Sequence, residues 1–297
     1  MNNYKYSLDT SSKKYICPAC ERKTFVVYID NETGEPLHRN VGKCDRADNC
    51  AHHYTPKQYF SDNNMEREYT LVTIFTKPKP KPSFINDDFL KRTLKGYSSN
   101  RLFQFLCKNI GDYEPEIYQA FERYFVGSSK TWNGATVFWQ IDYAGRIRTG
   151  KIMLYNRITG KRIKEPTSRI SWVHKALKLS DFNLCQCFFG EHLLRGNNKT
   201  IAIVESEKTA IVASIFYPDM IWLACGGSEG LNIEKCKILK ERNVVLYPDY
   251  GMFTKWNVKA YELKFICNAS VSYFIEKYAT ETQQAIGFDM ADYLLKT

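Results

Sequence analysis

The sequence predicts an α/β protein in three parts. A parallel sheet with flanking helices closes the chain, a basic α+β region precedes it, and a small cysteine-bearing module opens it. Three observations predict this. From Lys199 onward apolar strands alternate with helical segments. Residues 130–178 carry 11 basic side chains against two acids, Asp142 and Glu165. Four of the 10 cysteines fall between Cys17 and Cys50.

At 297 residues the chain is long enough for two or three domains. No apolar run approaches the roughly 18 residues that span a bilayer. The opening MNNYKYSLDTSSKKY lacks the apolar core of a signal peptide, so a cytoplasmic location and no membrane partner are expected. In a reducing compartment, clustered cysteines bind metal more often than they pair. The other six (Cys107, Cys185, Cys187, Cys225, Cys236 and Cys267) read as buried small hydrophobes.

The N-terminal module, residues 1–62, carries Cys17-Pro-Ala-Cys20 and, 23 residues on, Cys44 and Cys50. Zinc takes four soft or borderline ligands in a tetrahedron, and a Cys-x-x-Cys knuckle supplies two from one turn. Between the pairs, TFVVYID and EPLHRNVGK flank Asn31-Glu-Thr-Gly34, a hairpin signal. Knuckle, hairpin and second pair are the plan of a zinc ribbon. The gap between Cys44 and Cys50 is wider than a normal knuckle, which leaves His38, His52 and His53 as alternatives to the fourth cysteine. A closed four-ligand site is structural, with no open position for chemistry.

Residues 63–83 read as a linker. Their Lys77-Pro-Lys-Pro-Lys-Pro82 run favours an extended polyproline conformation and builds neither helix nor sheet. From residue 84 to 190 the pattern is first helical. Asn86 caps FLKRTLKGY, Ser98-Ser99 caps RLFQFLCKNI, and Pro115 starts EIYQAFERYF. Then GATVFWQIDYAGRIRTGKIMLY reads as two strands around a Tyr143-Ala-Gly145 turn. Arg146, Arg148 and Lys151 are expected to share a sheet face, with Arg157, Lys161, Arg162, Lys164 and Arg169 extending the charge. The region 84–190 holds 17 basic and 9 acidic residues, whereas 191–297 holds 12 and 13. Charge focused in one region predicts a polyanion surface.

In residues 191–297, strand Ile201–Val204 leads to a helix near Glu207–Phe216. Strand Met220–Leu223 leads to Gly226-Gly-Ser-Glu-Gly230 and a helix near Ile233–Leu239. Strand Val244–Tyr247 leads to a helix near Thr254–Phe265. A fourth strand, Ser270–Ile275, and a final helix near Asp289–Leu295 follow. Chemistry in such sheets sits at the carboxyl ends of the strands. Glu205 directly follows the first strand and Asp249 closely follows the third, and paired carboxylates hold Mg2+ against phosphate oxygens.

The motif Ile203-Val-Glu-Ser-Glu-Lys-Thr-Ala210 resembles the first motif of the Toprim domain of topoisomerases, primases and some nucleases. Leu246-Tyr-Pro-Asp-Tyr-Gly251 resembles its second, an Asp-x-Asp motif. Upstream, Phe188-Phe-Gly-Glu-His-Leu-Leu194 is similar to the short Phe-Gly-Leu segment before Toprim in bacterial DNA primases. Phe138 to Lys151 resembles their template-holding subdomain, and the ribbon resembles their zinc-binding domain. Short primase-like proteins of bacterial mobile elements are closest in plan. The resemblance implies a Toprim-like parallel sheet, with catalytic Glu205 and Asp249 binding Mg2+ (or Mn2+). It departs at Gly251, which occupies the second aspartate position of the motif. Gly287-Phe-Asp-Met-Ala-Asp-Tyr-Leu294 is similar to a late acidic motif, so Asp289 or Asp292 is the expected compensation. Lys208 is the expected phosphate contact at a helix start.

Three functions follow from that resemblance. One is Mg-dependent nucleotidyl transfer on a single-stranded DNA template in DNA replication, with nucleotides and other replication or mobilisation proteins as partners. The second is a non-catalytic DNA-binding accessory protein with a degenerate Toprim site, favoured by Gly251. The third is a Toprim nuclease, using the same acids for hydrolysis.

Overall fold

The computed structural model describes residues 4–46, 50–63, 81–227, 230–285 and 287–296. Most of the expected linker, including Lys77 to Pro80, lies outside the described residues. The chain divides into two compact units, residues 1–77 and 78–297.

The first unit is an antiparallel sheet in chain order: β1 (Tyr6–Leu8), β2 (Phe25–Asp30), β3 (Gly42–Cys44) and β4 (His53–Tyr54). Its hairpin is longer than the turn signal at Asn31–Gly34 suggests. Pro36 forms only an isolated bridge to Ile29, and β3 pairs with β2 from Gly42 onward. Proline has no N–H for a ladder, so pairing breaks there. Helix α1 (Pro56–Asp62) follows, capped by Thr55, whose side chain accepts from the Gln58 N–H. The buried core is Cys17, Phe25, Val27 and Cys44. So few apolar groups do not hold a fold without a cross-link or metal.

The second unit opens with helices α2 (Asp87–Thr93), α3 (Arg101–Asn109) and α4 (Glu114–Arg123). The cap of α3 is Asn100 rather than the serine pair, which lies in a 3-10 turn over Tyr97–Ser99. Asn100 is fully buried and its Oδ1 accepts from the N–H groups of Leu102 and Phe103 and from Thr136 Oγ1. One amide thus ties a helix start to a strand.

That strand belongs to an antiparallel sheet of β5 (Val126–Ser129), β6 (Ala135–Ile141), β7 (Ile147–Met153) and β8 (Ile170–Trp172). Every residue of β6 is buried. Phe138 packs with α3 and α4, while Val137 and Trp139 pack on the other face with Leu90. A sheet covered on both faces has no room for a stripe of free cations. Helix α5 (Val173–Ala176) follows.

The C-terminal sheet is parallel, in the order β10 (Ile221–Ala224), β9 (Ile201–Val204), β11 (Asn243–Leu246) and β12 (Asn268–Val271). Its helices are α6 (Glu207–Phe216), α7 (Ile233–Cys236), α8 (Phe253–Leu263), α9 (Phe274–Tyr278), α10 (Glu281–Gln284) and α11 (Met290–Leu295). Period-2 alternation sends Ala202 and Val204 toward α6 and α11, and Ile201 and Ile203 toward α8. All four are fully buried, and each large one contributes about 1.5–3 kcal/mol. The fourth strand is shorter than expected, ending at Val271. Ser272 Oγ accepts from Phe274 N–H, and the chain turns into α9.

Residues 84–190 and 191–297 share one buried cluster, in which Phe121 and Phe138 meet Ala202 and Trp222. Cys187, Cys225, Cys236 and Cys267 are buried as expected, but Cys185 is exposed. Among the described residues no helix is long and apolar enough to cross a membrane.

Candidate functional site

In the first unit the four sulfurs of Cys17, Cys20, Cys44 and Cys50 lie within 4.8 Å of one another. Cys17 and Cys50 are 3.8 Å apart at sulfur, Cys20 and Cys44 3.9 Å. A tetrahedron with Zn–S bonds of about 2.3 Å places its sulfurs roughly 3.8 Å apart, so the donor set fits zinc. The backbone N–H of Arg22 draws the Cys20 thiol down to about 6, while Cys50, despite the His52 N–H, is pushed up to about 11 by burial and its neighbouring sulfurs. The histidines lie outside the cluster. His38 Nδ1 accepts from the Asn40 N–H, and His53 Nε2 bonds the Tyr28 hydroxyl at 2.9 Å. His52 packs against Phe25.

In the second unit, parallel pairing brings the strand ends together. Leu246 lies opposite Ile203, and the Tyr247 N–H donates to the Ile203 carbonyl, so the residues after β9 and β11 emerge side by side. On the other flank Gly226 N–H donates to the Glu205 carbonyl. Glu205, Asp249 and the Gly226–Gly227 turn therefore share one sheet edge, the crevice in which open α/β sheets bind ligands.

They line a cleft of about 670 Å³. Its acidic lining residues are Glu205, Glu207, Asp249, Asp289 and Asp292, with Glu165 on the loop that bears the lysines. Its basic lining residues are Lys151, Lys161, Arg162, Lys164 and Lys208. Gly160, at φ +63°, lets the basic loop turn against the Phe105 ring, where a Cβ would collide.

The acids are not equivalent. Burial, then the charges of Asp289, Glu205 and Asp292, push the Asp249 carboxyl up to about 8, and only Lys208 opposes them. Asp289 is committed to structure. It caps α11 through Asp292 N–H at 2.9 Å and accepts from Thr209 Oγ1 at 2.7 Å. Asp292 accepts from Lys208 Nζ at 3.5 Å and, as the other half of the α11 capping box, from the Asp289 N–H at 3.4 Å, and it is raised by burial and by Asp289. Both residues expected to compensate for Gly251 are thus engaged at the start of α11, Asp292 by the longer contacts.

Among the described residues no three carboxylates meet as closely as the four thiols. Mg2+ asks for less, since it is held by one or two carboxylates with water and substrate phosphates completing the shell. Burial is the first cause of the raised Asp249 carboxyl, and the neighbouring acids come second. Glu205 and Asp249 are the residues that would hold such a cation.

Gly251 itself sits at φ +80°, and its N–H donates to Glu276 Oε1 at 2.8 Å. The position serves a turn held by an acid from α9, so no carboxylate points into the cleft from it.

The expected cations are divided. Lys151, Lys161, Arg162 and Lys208 reach the cleft. Lys151 is spoken for, with its Nζ 3.1 Å from both Glu207 oxygens and 3.3 Å from the Gly226 carbonyl. Arg146 and Arg148 are held by a different acid. Both donate to Asp142 Oδ2, at 3.0 and 2.8 Å, and both guanidinium groups stand over Phe84. Burial raises the Asp142 carboxyl, but the Arg146 N–H and the Arg148 guanidinium outweigh it and hold the group below its ordinary value. Arg157 is exposed in the turn before Lys161, away from the cleft lining.

Sequence reasoning missed Glu207, which is buried two residues after the motif glutamate, and read Lys164 only as part of the basic run. The alternation Glu205-Ser-Glu207 across a strand-to-helix junction is the one local signal that two acids there face different surroundings.

Residues 100–250 match the family described as a domain of unknown function, DUF6371, and residues 4–65 match a zinc beta-ribbon finger family. No curated protein matches the chain. Among solved structures it is similar to the primase fragment of the bacteriophage T7 primase-helicase protein. That likeness has 15% identity and a TM-score of 0.38, and covers 60% of this chain and 66% of the fragment's own length. It is similar to the RNA polymerase domain of the Mycobacterium tuberculosis primase with a DNA oligomer, at 12% identity, TM-score 0.44, and 71% and 77% coverage. It is also similar to the zinc-binding and RNA polymerase domains of the Aquifex aeolicus primase, at 10% identity, TM-score 0.37, and 98% and 80% coverage. Likenesses this distant carry no functional inference. The DUF6371 match covers half of the residues, and the chain belongs to that family.

Proposed function

We propose that the protein is a primase-like nucleic-acid-binding enzyme that performs divalent-metal-dependent nucleotidyl transfer on a single-stranded DNA template. The observation that carries it is the cleft that Glu205 and Asp249, at adjacent strand ends, line together with Lys161, Arg162 and Lys164. The motifs around both acids, which resemble Toprim motifs, support the same reading. A polyphosphate spans such a cleft naturally, its oxygens neutralised by the basic residues. Mg2+ or Mn2+ held by Glu205 and Asp249 would polarise the phosphoryl oxygens.

The other residues position and neutralise. Lys208 stands in the first turn of α6, whose free N–H groups and dipole favour a phosphate there. The Lys151–Glu207 pair fixes the Gly226 turn beneath the reacting groups. The zinc ribbon holds its metal away from chemistry, since four thiolates leave no open position.

A template-directed assay tests this: ribonucleotide incorporation on single-stranded DNA with Mg2+. Wild type is expected to make primers, and the Glu205→Ala, Asp249→Ala double variant none. Equal products from both, or none from either, sinks the catalytic reading. The second reading, a non-catalytic DNA-binding accessory protein, is favoured by the turn at Gly251. It requires salt-sensitive DNA binding that survives the double substitution. Cleavage of the template instead of extension would identify a nuclease.

A further inference from the structure

We propose that Arg148 and Lys235 form a second phosphate-binding site, in a pocket that adjoins the acid-lined cleft at the Gly226–Gly227 turn. The pocket has a volume of about 760 Å³, in the range of small-molecule sites. Its described lining carries two cations, Arg148 and Lys235, and two acids, Glu191 and Glu234.

Arg148 supplies the first observation. Its Nε is used by Asp142 Oδ2 at 2.8 Å, but its Nη1 is buried and has no hydrogen-bond partner among the described residues. The side chain is 14% exposed and lines the pocket. An unmet donor on a guanidinium costs free energy unless something that visits the pocket accepts from it.

Lys235 supplies the second. Its Nζ donates to the Cys225 carbonyl at 3.1 Å, stands over the Phe188 ring, and makes no ion pair among the described residues. The acids nearby are engaged by other partners. Asp142 is shared by Arg146 and Arg148, which leaves one positive charge over. Glu191 has both oxygens occupied by backbone N–H groups of Tyr143 and Phe188. Glu234 pairs with Lys237 at 2.7 Å on an exposed part of the wall.

An anion with several oxygens satisfies both cations at once, because a guanidinium fork and an ammonium match phosphate geometry. The pocket is larger than a lone phosphate needs, and the exposed side chains of Leu184 and Ile238 on its wall offer an apolar surface for a base. The ligand is thus a phosphate carried by a nucleotide, free or within a strand. This assignment is independent of whether the cleft is catalytic.

The test uses full-length protein without added divalent cation, so that metal-bridged binding in the cleft does not contribute. Fluorescence anisotropy is read with a labelled adenosine triphosphate and with a labelled oligothymidylate. Arg148→Lys keeps a charge for Asp142 but removes the spare donor, and Lys235→Gln removes the second cation without breaking an ion pair. Each is expected to weaken binding about tenfold, the scale of one charge-assisted hydrogen bond. Weakening with the triphosphate assigns a free nucleotide. Weakening confined to the oligonucleotide assigns a strand phosphate. Wild-type affinity for both probes in both variants, with unchanged melting, overturns the site, as does failure of the wild type to bind either probe. Should Arg148→Lys prove unstable, Lys235→Gln decides alone. The Glu205→Ala, Asp249→Ala double variant is expected to keep this binding, so a failed primer assay leaves the result standing.

Discussion

Asp249 shows how a single carboxyl reports on its surroundings. Its folded value, about 8, lies above its ordinary 3.8, so the folded protein holds this proton more tightly than the unfolded chain. The favourable contribution is complete below about pH 4 and is lost as pH rises toward 8. In metal-free protein, Asp249→Asn should therefore raise stability at pH 9 by about 1–3 kcal/mol, the cost of an unmet buried polar group. The gain should vanish near pH 4, and thermal melts across that range check it. Lys151 gives the opposite case. It is 12% exposed, and its partner Glu207 is 3% exposed. Lys151→Met strands a buried charge, and the expected loss is about 3 kcal/mol in urea unfolding. A Lys151→Met, Glu207→Leu double variant should recover most of it. A single variant as stable as wild type would show the pair to be dispensable.

At the scale of elements, the ribbon depends on its metal more than on its packing. The core of Phe25, Val27, Cys17 and Cys44 is too small to hold β1–β4 alone. Cys44→Ser is expected to lose the bound zinc and the amide protection of Phe25–Asp30. Zinc analysis and hydrogen exchange read both, and full protection without metal would refute the structural role. In the second unit, Asn100 joins α3 to β6, and the β9–β11 pairing carries Glu205 and Asp249 to one edge. The strand-helix order was legible because apolar period and turn residues repeat it four times. The end of β12 was not, since Val271 to Ile275 are apolar or β-prone, while Ser272 bonding to Phe274 N–H starts a helix.

For the whole molecule, charge counted along the chain overstates the polyanion surface. Lys151 is spent on Glu207, and Arg146 and Arg148 share the single charge of Asp142, while Lys161, Arg162 and Lys164 line the cleft. Replacing those three with glutamine should weaken single-stranded DNA binding. It should also flatten the dependence of log affinity on log salt by about 0.7 for each phosphate that is no longer neutralised. An unchanged slope would move the binding surface elsewhere.

The sequence by itself determined what is local. Cysteine spacing, the βα rhythm and the acids after the first and third strands follow from short-range patterns, because ligand spacing and hydrophobic period are set within a few residues. Only the tertiary structure decided which charges are available. Asp142 meets Arg148 across a hairpin, Glu207 meets Lys151 from another sheet, and Asp289 caps a helix while bonding Thr209. Those partners lie up to 80 residues apart. A buried charge is satisfied by whatever the fold places against it, and that neighbour is not written beside it in the chain.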